Sequence, residues 1–208
     1  VPIIVQMRRK LVNEGKLDES LEQALMGLQR QGNSLGKPSR KRFEWAKKLE
    51  TPLKDAKKES VDALWFLGDY AAYHPSCTSV TQNVAELFQK AGLDFGVLGD
   101  KERTAGNDVR RVGEEELFNM LAEKNMATLE KADYKRIITT DPHTYHTLKH
   151  EYGRFGLEKP VQHYSELLDE YLKDGTLVVK NRIEGKAVFH DPCYLGRYND
   201  IYDPPRRV

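Results

Sequence analysis

Val61-Asp62-Ala63-Leu64-Trp65-Phe66-Leu67 is a run of strand-forming residues, apolar but for Asp62, that stops at Gly68-Asp69. A run of this length, bounded by turn residues, predicts a strand buried on both faces. A loop over residues 68–75 leads into Val80, Val84, Leu87, Phe88 and Ala91, which recur at helical spacing before Gly92 stops them. Downstream the same alternation continues. Strands are expected at residues 95–98, 136–140, 161–163 and 187–190, and helices at residues 108–131, 144–152 and 165–173. Strands that alternate with helices predict an α/β fold, a mostly parallel sheet with helices on both faces. Such sheets assemble sites at the carboxyl ends of strands, here the loops that begin at Gly68, Gly99, Asp141 and Asp191.

Residues 1–60 read differently. A helix is expected over residues 12–31, with Asp18 as N-cap and Leu21, Ala24, Leu25 and Leu28 on one face. A breaker-rich loop at residues 32–38 precedes a short helix carrying Phe43, Trp45 and Leu49. The apolar residues are too sparse for an independent core, so this segment is expected to be a helical adaptor that packs on the rest. It carries fourteen Lys/Arg against eight Asp/Glu, yet the net charge of the chain is only +1, which argues against a general nucleic-acid footprint. A mean hydropathy of -0.67 indicates a soluble globular chain, and no apolar run approaches the length of a membrane span. The chain opens on Val1 rather than Met, from which a native start further upstream is expected.

Chemistry-bearing residues gather in the strand-end loops. Asp69, Asp141, His143 and His146 could supply oxygen and nitrogen to a metal, although no recognisable zinc signature accompanies them. Asp before Pro at a helix start is, alternatively, a cap. Arg110 and Arg111 are expected to pair with Glu114, Glu115 and Glu116, and Trp65 and Phe66 to be core. The two cysteines, Cys77 and Cys193, suit a reducing cytoplasm. Cys77 falls in the first turn of a helix. Cys193 follows the apolar run Lys186-Ala187-Val188-Phe189 and stands between His190 and Arg197, where a thiolate could be stabilised and approached.

His190-Asp191-Pro192-Cys193-Tyr194-Leu195-Gly196-Arg197 resembles the opening of the cysteine-rich CCG motif of heterodisulfide reductase catalytic subunits and related iron–sulfur oxidoreductases. In that family each half carries a Cys, a Cys-Cys-Gly and a Cys-x-x-Cys, which hold a [4Fe–4S] cluster. An upstream copy of the frame is similar to Asp69, then Thr104-Ala105-Gly106, then Asp141-Pro142-His143-Thr144, with 34 residues in each gap. Every cysteine of this first copy is replaced. Thiolates hold iron–sulfur clusters, and Asp, Thr and Ala offer no sulfur. The resemblance therefore implies that the first half is cluster-free and that Cys193 is an iron–sulfur ligand in the intact protein.

The resemblance further implies three parts: the adaptor (residues 1–60), which would follow a ferredoxin-like domain, a cysteine-free CCG-type half (61–183) and the start of a second half (184–208). It suggests a fragment of an electron-transfer oxidoreductase with a [4Fe–4S] cluster, inactive alone and linking an electron-transferring flavoprotein to quinone. A cytoplasmic setting is implied, with membrane attachment through other parts. Two rivals remain open: a non-catalytic docking scaffold for a redox partner subunit, and a metal at Asp69, Asp141, His143 and His146.

Overall fold

A computed structural model describes residues 2–181 and 183–208. The elements follow the order α1 (Pro2–Asn13), α2 (Glu19–Gln31), β1 (Lys54–Asp55), β2 (Val61–Trp65), α3 (Asp69–Tyr73), α4 (Pro75–Lys90), β3 (Phe95–Val97) and α5 (Asn107–Val112). They continue with α6 (Glu115–Leu129), β4 (Tyr134–Thr139), α7 (Pro142–Glu151), β5 (Val161–His163), α8 (Tyr164–Lys173), α9 (Gly196–Asn199) and α10 (Asp203–Arg207). The five strands form one parallel sheet in the order β1-β3-β2-β4-β5. The chain leaves β2 towards β3 on one side and β4 towards β5 on the other. The crevice where such connections diverge therefore opens between the ends of β2 and β4.

The run that predicts β2 serves both faces of the sheet. Leu64 and Phe66 join Phe118, Leu121 and Leu129 of α6, and Leu25 and Leu28 of α2, in one core. Ala63, Trp65 and Leu67 point the other way, into a second core with Val84, Ala85 and Phe88 of α4 and Leu167 and Leu168 of α8. Period-two alternation across a sheet with two buried faces produces this division. Trp65 sits edge-on to Trp45, Phe88 and Phe95. The segment upstream of residue 60 thus contributes Leu25, Leu28 and Trp45 to cores it shares with the sheet.

Several expected elements differ in detail. The helix expected at residues 12–31 begins only at Glu19, where Asp18 caps it; Gly15, φ +67, turns the chain out of α1, a helix over residues 2–13 that was not expected. The helix expected at 108–131 is divided at Gly113, φ +100, whose missing Cβ would lie 2.6 Å from Arg9 N. Phe43, Trp45 and Leu49 lie on and beside 3-10 turns rather than an α-helix. The loop after β2 holds α3. Residues 187–190 are not a strand: the segment has no ladder partner among the described residues, and Val188 is 99% exposed.

His163 caps α8, where its Nδ1 faces Ser165 Oγ at 2.7 Å, while its Nε2 is buried with no hydrogen-bond partner among the described residues. Burial pushes its pKa down to about 4. The unfolded chain therefore binds this proton from about pH 6.5 downward while the fold resists it, so stability present above that pH is lost as pH falls towards 4. The expected loss is about 3 kcal/mol, at roughly 1.4 kcal/mol for every pH unit that separates the folded and unfolded pKa. Urea titrations at pH 7 and pH 4.5 should show it, and His163→Asn should flatten the dependence. An equally steep fall in the variant would assign the acid sensitivity elsewhere.

Candidate functional site

Gly68 ends the β2 run in a left-handed turn, φ +79, pressed against the turn after β4. A Cβ there would lie 3.3 Å from Thr144 Oγ1 and 3.6 Å from Asp141 Oδ2. Asp69 follows, with both carboxylate oxygens occupied. Oδ1 accepts from Arg42 Nη2 at 2.9 Å, and Oδ2 accepts from the backbone N–H and hydroxyl of Ser34 at 2.7 and 3.1 Å. Arg42, 1% exposed, also donates through Nη1 to Glu102 at 2.8 Å and to the Gly68 carbonyl at 3.1 Å. Glu102 in turn accepts from the N–H groups of Leu67 and Gly68. Burial pushes the Glu102 carboxyl up to about 7, against the pull of Arg42 and those two N–H groups. For Arg42, burial opposes the charge, but Glu102 and Asp69 outweigh it and hold the guanidinium above its ordinary value.

The next loop is closed in the same way. Thr104 Oγ1 accepts from the Gly106 N–H, and the Thr104 N–H donates to the Gly32 carbonyl at 2.8 Å. Gly106 takes φ +88 beside Phe118, whose ring would stand 2.7 Å from an added Cβ, so this turn requires glycine. After β4, Asp141 caps α7: Oδ1 accepts from His143 N, and Oδ2 accepts from Thr144 N and Oγ1. Desolvation opposes its ionisation, yet the hydrogen bonds from His143 and Thr144 hold the carboxyl below the usual range. The Asp141 hydrogen bond in turn raises the pKa of His143.

Asp69, Thr104 and Asp141, far apart in sequence, border one cleft of about 600 Å³. Ser34, Cys77, Asp108 and His143 join them at its walls. His146 does not; it packs on Tyr194 and Tyr198 from the next turn of α7. Among the described residues, no group of three or more His, Cys, Asp and Glu is placed to hold a metal ion. Nor do the replaced positions suit an iron–sulfur cluster, since they carry no thiolate and their oxygens are taken up by Arg42, Ser34 and the α7 cap.

Cys193 and Cys77 are both free thiols, the first exposed and the second half-buried in the first turn of α4. The scaffold fixes Cys193 from behind rather than from ahead. Residues 186–189 before it are exposed, whereas Leu195 and Ile201 after it are buried against Tyr145. Its chemistry fits a single thiolate ligand on an open loop. Arg110 does meet Glu115, at 3.3 Å, but Arg110 and Arg111 converge on Glu151, a partner that the sequence did not point to. Arg42 and Glu102 were equally hidden, for no local spacing signals them.

Comparison with known proteins places this geometry. Residues 67–149 match the family described as a cysteine-rich domain, CCG. The chain is 41% identical to the probable iron-sulfur-binding oxidoreductase FadF of Bacillus subtilis, over 99% of this chain and 30% of that protein. It is 32% identical to the EtfAB:quinone oxidoreductase of Syntrophomonas wolfei, over 100% of this chain and 30% of that protein. Similarity at 27% identity extends to a component of the dihydromethanophenazine:CoB–CoM heterodisulfide reductase of Methanosarcina mazei, over 73% of this chain and 38% of that polypeptide. The chain thus spans about a third of the length of these relatives. No solved structure matches it.

Proposed function

Because residues 67–149 belong to the cysteine-rich domain family and the relatives are iron–sulfur oxidoreductases, we propose that this chain is part of an iron–sulfur electron-transfer oxidoreductase. Its first CCG-type half, residues 61–183, serves as a cluster-free support, and Cys193 opens the half that holds a [4Fe–4S] cluster. The cluster would supply one-electron transfer, with Cys193 as one of its thiolates. One observation carries this reading. The replaced ligand positions have become hydrogen-bonded structure, with Asp69 tied to Arg42 and Asp141 to the start of α7, while Cys193 stays exposed. The natural redox partner on this reading is an electron-transferring flavoprotein, named in one relative, with quinone as acceptor. No helix among the described residues is long and apolar enough to cross a membrane, and we place this segment on the cytoplasmic side, where free thiols persist.

Anaerobic reconstitution with iron and sulfide tests the support role. The 208-residue chain is expected to stay colourless, because the exposed thiol of Cys193 and the lone thiol at the cleft wall, Cys77, are fewer than the thiolates a cluster needs. Stoichiometric iron and sulfide with broad visible absorption would show that the cleft does bind one.

A further inference from the structure

Tyr194, the residue after Cys193, is held from several sides by the cluster-free half. Its ring centroid lies 4.7 Å from that of His143 and 5.0 Å from that of His146, and it stacks on Tyr198 at 4.9 Å. Its hydroxyl accepts from Arg111 Nε at 3.0 Å, and the other arm of that guanidinium is fixed by Glu151. One residue further along α9, Asn199 bonds His150 and His146 with its side-chain amide and also reaches the Tyr194 carbonyl. Leu195 is 1% exposed, and its N–H and that of Gly196 both bond the Pro192 carbonyl, which folds the chain tightly around Cys193. Gly196 gives the turn its room: a Cβ there would lie 2.6 Å from the Tyr202 ring.

His143 joins this seat to the replaced motif. It belongs to Asp141-Pro142-His143-Thr144, and its Nδ1 lies 3.4 Å from Asp141 Oδ1. A side chain next to the thiol is thus packed against the residues that took over the last Cys-x-x-Cys pair. Residues 186–190 before Cys193 are exposed, and Asp191 pairs with Arg206 on the far side of the thiol.

We propose that His143, His146 and Arg111 form a seat for Tyr194, which makes Tyr194 a positioning residue for the Cys193 thiolate. This is what the cysteine-free half contributes to the site beyond it: a rigid mould for the first ligand of the neighbouring motif. The seat itself stands on contacts within this chain. Its consequence for a cluster rests on the reading of Cys193 as a ligand.

Two measurements separate these levels. Hydrogen exchange on the 208-residue chain reads the seat directly. Tyr194→Ala should remove the slow exchange of the Leu195 and Gly196 amides while the β2 and β4 amides stay protected, and Tyr194→Phe, which keeps the ring, should restore it. Unchanged protection in Tyr194→Ala overturns the seat, and no protection at all in Tyr194→Phe overturns the part that His143 and His146 play in it. In the full-length holoprotein, Tyr194→Ala should shift the reduction potential and the electron paramagnetic resonance spectrum of the cluster at unchanged iron content, and Tyr194→Phe should not. A spectrum and potential identical to the parent overturn the positioning role. If Cys193→Ser in the same protein leaves the cluster untouched, the ligand assignment fails, and the exchange result still decides the seat.

Discussion

Arg42→Ala is expected to destabilise the fold by about 3–5 kcal/mol, the loss that follows when one member of a buried ion cluster is removed. Arg42 is, among the described residues, the cation paired with both Asp69 and Glu102, with side chains 1%, 4% and 0% exposed. Its removal leaves one carboxylate beside another in a place closed to water, and takes the partner of the Gly68 carbonyl as well. In a domain of this size the melting temperature should fall by about 10 °C. The double variant Arg42→Ala/Glu102→Gln should recover part of the loss, because a neutral amide can still accept from one of the Leu67 and Gly68 N–H groups without carrying a buried charge. Thermal and urea unfolding of the three proteins measure this. Additive losses would mean that Arg42 and Glu102 do not act as a pair. The effect reaches the site, since Arg42 comes from the basic upstream segment and Asp69 stands where the family frame has its first cysteine. On the proposed reading, a carboxylate at the place of the first cysteine of the frame anchors that segment through Arg42.

The parallel sheet was legible because it rests on local signals. The run at residues 61–67, apolar but for Asp62, marks β2, the helical spacing of Val80 to Ala91 marks α4, and the strand expected at Val161–His163 has its observed bounds. Two helix breaks were missed because Gly15 and Gly113 lie inside otherwise helical patterns, and a single glycine there is readable as a tolerated defect. Strand β1 is two polar residues long and owes its existence to pairing with β3, so no periodicity announces it. The error at residues 187–190 is the converse: strand-forming residues make a strand only where a ladder accepts them.

At the site, the frame of the motif located Asp69, Thr104 and Asp141, and the sheet topology brought them together. Arg42, 27 residues from Asp69 and 60 from Glu102, could not be found that way. Long-range ion pairs carry no spacing rule. His143, His146 and His150 stand at helical spacing on α7, and the first two pack on Tyr194. Three histidines at helical spacing share a face whatever that face meets.

The second large effect concerns Cys193. In the full-length protein Cys193→Ser should strongly reduce cluster content, because serine replaces a soft thiolate with a poorer iron ligand, and electron transfer should fall with it. The fold should hardly change, since the side chain is exposed and serine is nearly isosteric. Asp141→Ala should behave in the opposite way. It removes the acceptor for His143 N, Thr144 N and Thr144 Oγ1, so stability falls by about 0.5–2 kcal/mol as a lost cap while the cluster remains.

Iron and sulfide content of full-length Cys193→Ser and Asp141→Ala, measured beside the parent with melting curves of all three, is the most direct test of where the chemistry resides. The account predicts cluster loss for Cys193→Ser, with the 208-residue chain carrying that substitution melting as its parent does, and a lower melting temperature with full cluster for Asp141→Ala. A complete cluster in Cys193→Ser together with an empty Asp141→Ala would place the chemistry in the first half and contradict the account.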